Sequence, residues 1–147
     1  MGRLTGRTAI IAGGSKGIGY AISTTFAREG AEVAVVGSNA EAAEKTAQEI
    51  REAGGKAIAV AADLTSEEGR AQVLAKTLSA FGKVDILINN AGIGEQKMID
   101  ETDDDWMMYV MNTNLGGPMR YIREALKIFL PKNDGVIINI SSVNGTR

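Results

Sequence analysis

One stretch constrains this chain more than any other: Ile10-Ile11-Ala12-Gly13-Gly14-Ser15-Lys16-Gly17-Ile18-Gly19. A short apolar strand runs into a glycine turn and then into the helix-like run Tyr20 to Arg28. A helix that starts at such a turn leaves its first unpaired N–H groups and its positive dipole end facing into it, where an anion can reach them. Glycines remove the Cβ atoms that would hold a phosphate away from the backbone. The spacing is Gly13-x-x-x-Gly17-x-Gly19 with an extra Gly14, not the commoner G-x-G-x-x-G. A tight turn that merely joins strand to helix is the plainer reading of the same glycines. Ser15 and Lys16 can direct polar groups at a phosphate, although a solvated lysine is ordinary in a surface loop.

The rest of the chain alternates strand and helix, the pattern of βαβ units around a parallel sheet. Strands are predicted at 8–12, 33–36, 57–61, 84–88 and 136–140. The second, 33–36, is rich in β-branched residues and continuously apolar, as a strand buried on both faces should be. Helices are predicted at 17–29, 40–53, from Thr65 to 81, and from Thr102 to about 130. Three capping boxes open the later ones: Ser38 with Glu41, Thr65 with Glu68, and Thr102 with Asp105. Gly116-Gly117-Pro118 should kink the longest helix, and 131–135 reads as a turn.

Length and composition narrow the function classes. The 147 residues suit one domain, and 44% hydrophobic with 23% charged residues is ordinary for a globular chain. A net charge of -2 without a basic cluster gives nucleic acid no footing. The sequence has no cysteine and no histidine, which excludes disulfides, Cys/His zinc sites and a histidine base. No metal site is predicted. No apolar run approaches the ~20 residues of a membrane helix, and the run after Arg3 and Arg7 is too short for a signal peptide. No membrane association is expected, and a cytoplasmic location is the default.

Four stretches together resemble one family, the short-chain dehydrogenases/reductases. The glycine turn matches that family's cofactor motif, so Gly13, Ser15, Lys16, Gly17, Ile18 and Gly19 are expected to hold the pyrophosphate. Asp63-Leu64 after the third strand resembles the pair that contacts adenine. Asn89-Asn90-Ala91-Gly92 after the fourth matches the N-N-A-G signature, giving Asn90, Ala91 and Gly92 as cofactor residues. Asn114-Leu115 and Ile140-Ser141-Ser142 look like the catalytic asparagine and serine. By resemblance Ser142 would hydrogen-bond a substrate carbonyl and Asn114 would anchor a water relay. The segment from Trp106 to Asn114 is one residue longer than is common, which leaves Asn112 as a rival for that position. The resemblance implies an α/β fold, a Rossmann-type doubly wound parallel sheet of five strands in the order 3-2-1-4-5.

Cofactor choice should be read at the end of the second strand, where an NAD-specific site usually places a carboxylate. This chain has Gly37-Ser38-Asn39 there, without an acid. Ser38 and Asn39, with Lys16, leave room for a 2′-phosphate, so NADP is expected over NAD. Ser38 could equally be a helix cap. The family implies hydride transfer between NADP(H) and a carbonyl/alcohol pair; a 3-oxoacyl thioester and a sugar-like alcohol fit equally well. Its Tyr-x-x-x-Lys pair would fall a dozen or so residues past Ser142, beyond Arg147. The chain is therefore expected to be the N-terminal part of a longer enzyme or an oligomer, and a poor catalyst by itself. A non-catalytic nucleotide-binding module is the alternative. A homo-oligomer is expected, because the apolar fifth strand carries no edge protection.

Overall fold

A computed structural model describes residues 2–94 and 97–142. Residues 95 and 96, between the Asn89-Asn90-Ala91-Gly92 stretch and the helix predicted from Thr102, lie outside that description, as do 1 and 143–147. The five strands are β1 (Thr8–Ala12), β2 (Glu32–Gly37), β3 (Lys56–Ala61), β4 (Ile86–Asn89) and β5 (Val136–Asn139). They pair in parallel, as the alternating pattern predicts, and in the order β3-β2-β1-β4-β5 that the family resemblance implies. Helices α1 (Gly17–Arg28), α2 (Ala40–Glu52), α3 (Glu67–Phe81), α4 (Asp104–Met111) and α5 (Gly117–Lys132) cover the faces.

Alternation along the strands divides the core in two. Ile11, Val33, Val35 and Ile88 turn to one face, where Ala43, Ala47 and Ile50 of α2 meet them. Ile10, Val36, Val60 and Leu87 turn to the other, against Val73 of α3 and Tyr121, Ala125 and Phe129 of α5. Ile10 and Ile11 are both fully buried, each worth about 1.5–3 kcal/mol of burial. The central register places Ala12 beside Val36 and Asn89, so the glycine turn, the end of β2 and the end of β4 share one edge.

Three local expectations are corrected. Each predicted capping box is displaced by one residue. Asn39 rather than Ser38 caps α2, accepting from the Ala42 N–H. Ser66 rather than Thr65 caps α3, and Asp103 rather than Thr102 caps α4. The earlier residue of each pair has no such bond, and Thr65 and Thr102 spend their hydroxyls on Asp63 and the Met98 carbonyl. The kink at Gly116-Gly117-Pro118 is a π-turn, Asn112–Gly116, between α4 and α5. Pro118 has no N–H to give to the carbonyl four residues back, and the ladder shifts to the bond from Gly117 N–H to the Asn112 carbonyl. Pro131 does not begin the expected turn; it lies in the last turn of α5, where it forfeits one bond. The helix ends one residue later, at Lys132, and the cap Asn133 is left-handed (φ 48°).

At the opposite end of the strands, Asp85 gathers a charge cluster. Its carboxylate accepts from the Thr8 N–H at 2.9 Å and from Lys132 at 2.8 Å, with Lys83 at 3.3 Å and Arg7 at 3.8 Å. Arg7 also bonds Asp134.

Candidate functional site

The glycine turn is held from four directions. Gly14 N–H donates to the Val36 carbonyl at 2.9 Å, and Ser23 Oγ to the Gly14 carbonyl at 3.0 Å. Asn90 N–H donates to the Ala12 carbonyl and Asn90 Nδ2 to the Gly13 carbonyl at 3.1 Å, while Thr46 Oγ1 donates to the Ser15 carbonyl. Gly13 has φ 71°, and a Cβ there would stand 2.9 Å from the Ala91 backbone. A Cβ on Gly19 would overlap the Gly13 carbonyl oxygen and stand 2.6 Å from Asn90 Nδ2. These two glycines let the turn, α1 and the Asn90 loop pack onto one another; a side chain at either would separate them.

The helices after β1, β2 and β3 differ at their N-termini. Asn39 caps α2, with Glu41 in its first turn, and Ser66 caps α3, with Glu67 and Glu68. The N-cap of α1 is Lys16, which makes no capping bond, and its first turn holds no acid. Of the three, α1 alone keeps its orphan donors and dipole uncompensated by side chains, and it opens onto the glycine turn.

A cavity of about 640 Å³ lies over this edge of the sheet. Of the predicted cofactor residues, Gly13, Ser15, Lys16, Ser38, Asn39, Asp63, Leu64, Asn90, Ala91 and Gly92 line it. Gly17, Ile18 and Gly19 do not: Gly17 (φ 50°) begins α1, Gly19 is buried in the packing just described, and Ile18 is exposed. Asp63 takes the Thr65 N–H at 2.9 Å and the Thr65 hydroxyl at 2.6 Å on one oxygen, Oδ1. Those bonds hold its carboxyl below the usual carboxylate range.

The predicted catalytic pair lies outside the lining. Asn114 binds the main chain of Ile93 twice, accepting from its N–H at 2.8 Å and donating Nδ2 to its carbonyl at 2.7 Å. Asn114 thereby ties the π-turn to the loop after β4; Asn112 makes no such bond. Ser142 is exposed and lies three residues beyond β5, past the same edge of the sheet.

Sequence reading missed the far wall of the cavity, made by Tyr109, Thr113, Gly117 and Tyr121. These recur every four residues, a stripe visible in the sequence, but nothing local says which way it faces. Gly117 brings α5 close: a Cβ there would stand 3.5 Å from the Leu64 carbonyl. The Thr113 and Tyr121 hydroxyls are buried without a partner. Burial, with the Glu124 charge, pushes the Tyr121 phenol far above its usual range. Asn89, also buried, donates Nδ2 to Asn139 Oδ1 at 2.9 Å and ties β4 to β5. Among the described residues no group of three or more His, Cys, Asp or Glu could hold a metal, and no helix is long and apolar enough to cross a membrane.

Comparison with known proteins places this architecture. A solved 7α-hydroxysteroid dehydrogenase, in complex with NADH and 7-oxo glycochenodeoxycholic acid, superposes with a TM-score of 0.95 at 36% identity, covering 99% of this chain and 56% of its own. A 3β-hydroxysteroid dehydrogenase of Mediterraneibacter gnavus is 35% identical over 100% of this chain and 53% of its own length. A 3-oxoacyl-(acyl-carrier-protein) reductase of Chlamydia trachomatis is 33% identical over 99% of this chain and 59% of its own. The chain thus spans little more than half the length of these relatives. The family profile described as short chain dehydrogenase matches residues 7–147, and the chain belongs to that family.

Proposed function

We propose that this chain is the dinucleotide-binding part of an NADP(H)-dependent oxidoreductase that interconverts a carbonyl and an alcohol. The observation that carries the reading is the uncapped, acid-free N-terminus of α1, opening into a glycine turn beside the cavity. Gly13, Ser15, Lys16, Gly17, Ile18 and Gly19 form the pyrophosphate turn. Asp63 and Leu64 take the adenine, and Asn90, Ala91 and Gly92 flank the rest of the ligand. When bound, the cofactor supplies or accepts the hydride. Ser142 orients the substrate carbonyl and Asn114 anchors a water relay. Its two bonds to the Ile93 main chain hold Asn114 against the loop after β4.

NADP is the preferred form. Ser38 is exposed in the cavity wall with no capping bond to make, Lys16 adds a positive charge, and no carboxylate ends β2 to repel a 2′-phosphate. The protein works as a cytoplasmic homo-oligomer. Met107, Met111, Leu115 and Met119 recur every four residues along α4, the π-turn and α5 and are 44–61% exposed. The edge strand β5 likewise leaves Val136 and Ile138 uncovered, for another segment or copy to cover.

Calorimetric titration with NADPH, NADH and ATP tests the reading. NADPH should bind most tightly, and Lys16→Ala should weaken NADPH more than NADH. No binding of either dinucleotide overturns it. ATP binding as tightly as NADPH would favour a general nucleotide-binding module instead.

A further inference from the structure

Arg70 carries a charge where charges are seldom found. It lies in the first turn of α3, 3% exposed, and pairs with Glu124 of α5 at 3.0 Å. The pair is not optimised for stability. Glu124 Oε2 is buried without a partner, as is the Tyr121 hydroxyl one turn earlier on α5. Two apolar side chains of similar volume would pack this place at lower cost than a half-satisfied ion pair.

What the guanidinium also does is hold the cavity wall. Arg70 Nη1 donates to the Leu64 carbonyl at 2.9 Å and to the Thr65 carbonyl at 3.0 Å. Leu64 and Thr65, with Asp63, form the segment that lines the cavity between β3 and α3. The other polar groups of this segment are engaged within it. Thr65 N–H goes to Asp63 Oδ1, and the Ser66 N–H and hydroxyl go to the Asp63 carbonyl. Three groups remain unbonded by the described residues: the Asp63 N–H, the Leu64 N–H and Asp63 Oδ2. They lie just before the two peptides that Arg70 holds, those of the Leu64 and Thr65 carbonyls.

We infer that Arg70 is a positioning residue for the dinucleotide site. It anchors the Asp63–Thr65 wall through two carbonyls so that the wall meets the adenosine end of the ligand, and Glu124 keeps the guanidinium aimed. The inference rests on the cavity being a dinucleotide site.

The test is the double variant Arg70→Met/Glu124→Met, which removes both charges and keeps the volume. Its affinity for adenosine 2′,5′-bisphosphate and its urea midpoint are measured beside the unaltered chain. The expected result is a held midpoint with at least about tenfold weaker binding, the worth of one charge-assisted hydrogen bond. Unchanged binding overturns the inference and leaves Arg70 a packing residue. Should the double variant not fold, Arg70→Lys decides by the same tenfold criterion, because one ammonium can keep Glu124 but not the fork to both carbonyls. If the unaltered chain does not bind the bisphosphate, the dinucleotide reading fails first, and this inference falls with it.

Discussion

At the N-terminal end of the strands a carboxylate, Asp85, is 4% exposed and enclosed by Lys132, Lys83, Arg7 and the Thr8 N–H. At the C-terminal end another carboxylate, Asp63, is exposed in a cavity wall and bonded through a single oxygen. Both carboxyls are held below their usual range, by different means. At Asp85 burial pushes upward, and the bonds from Lys132 and the Thr8 N–H more than offset it. At Asp63 two bonds from Thr65 suffice. The first end spends its polar groups on closing the fold. The second is assembled from backbone, with glycines where side chains would collide, and keeps acceptors and donors for something else. Stability and binding are thus divided between the two ends of one sheet, and the division can be tested by breaking each end separately.

The largest effect is expected at Gly19. Gly19→Val drives a branched side chain into the Gly13 carbonyl and Asn90, and should abolish NADPH binding while costing about 3 kcal/mol of stability. Calorimetry and urea unfolding measure the two parts, and retained binding would show that the turn does not hold the ligand. Asp85→Ala should cost a similar 3 kcal/mol or so, because it leaves the Lys132 ammonium and the Thr8 N–H without their acceptor. Its affinity for NADPH should not move. A loss of affinity there would break the separation of the two ends.

Acid sharpens the same contrast. The folded pKa of Asp85 lies below the unfolded value near 3.8, so within that window the unfolded chain binds more protons. Its contribution to stability is complete above the unfolded pKa and is lost as pH falls through the folded one. The urea midpoint should therefore drop more steeply below about pH 4 in the unaltered chain than in Asp85→Ala. Equal slopes would mean that other carboxylates carry the acid sensitivity.

These two ends were not equally legible in the sequence. The sheet was: β1 is buried at every position, and a strand with no solvent face writes itself as a continuous apolar run. The backbone half of the cavity was legible too, because a glycine turn and paired asparagines announce themselves in consecutive residues. The Asp85 cluster was not. Thr8 lies 77 residues and Lys132 47 residues from it, and nothing short of the folded topology joins them. The helical wall failed for a related reason. Tyr109 and Tyr121 lie on either side of a π-turn and Thr113 inside it, and the turn changes the helix's phase where periodicity would have to be read across it. Arg70 reads as one more solvated helix charge until its two carbonyls are in view.

Asn114 marks a middle case, a side chain near the cavity that works on the backbone. Asn114→Ala removes both bonds to Ile93 and should cost about 1–2 kcal/mol. Hydrogen exchange at the Ile93 amide should quicken while the Asp85 end stays protected. Equal acceleration at both ends would mean that they unfold as one unit and that the loop has no separate stability.

The smallest predicted effect separates two neighbours at the cavity end. Ser38 and Asn39 are adjacent and both line the cavity, and the sequence points to Ser38 as the cap of α2. Only Asn39 accepts the Ala42 N–H, at 2.8 Å. Asn39→Ala should therefore lower stability by about 1 kcal/mol, the usual worth of an N-cap. Ser38→Ala should leave the urea midpoint within about 0.5 kcal/mol of the unaltered chain, as a surface change with no bond to lose does. If Ser38 faces a 2′-phosphate, the same substitution should weaken NADPH several-fold and leave NADH alone, since only the former carries the group that its hydroxyl would meet. One pair of adjacent residues then reports stability and binding independently. An Asn39→Ala variant as stable as the parent, with Ser38→Ala destabilised, would return the cap to Ser38 and remove the argument that its hydroxyl is free for the ligand.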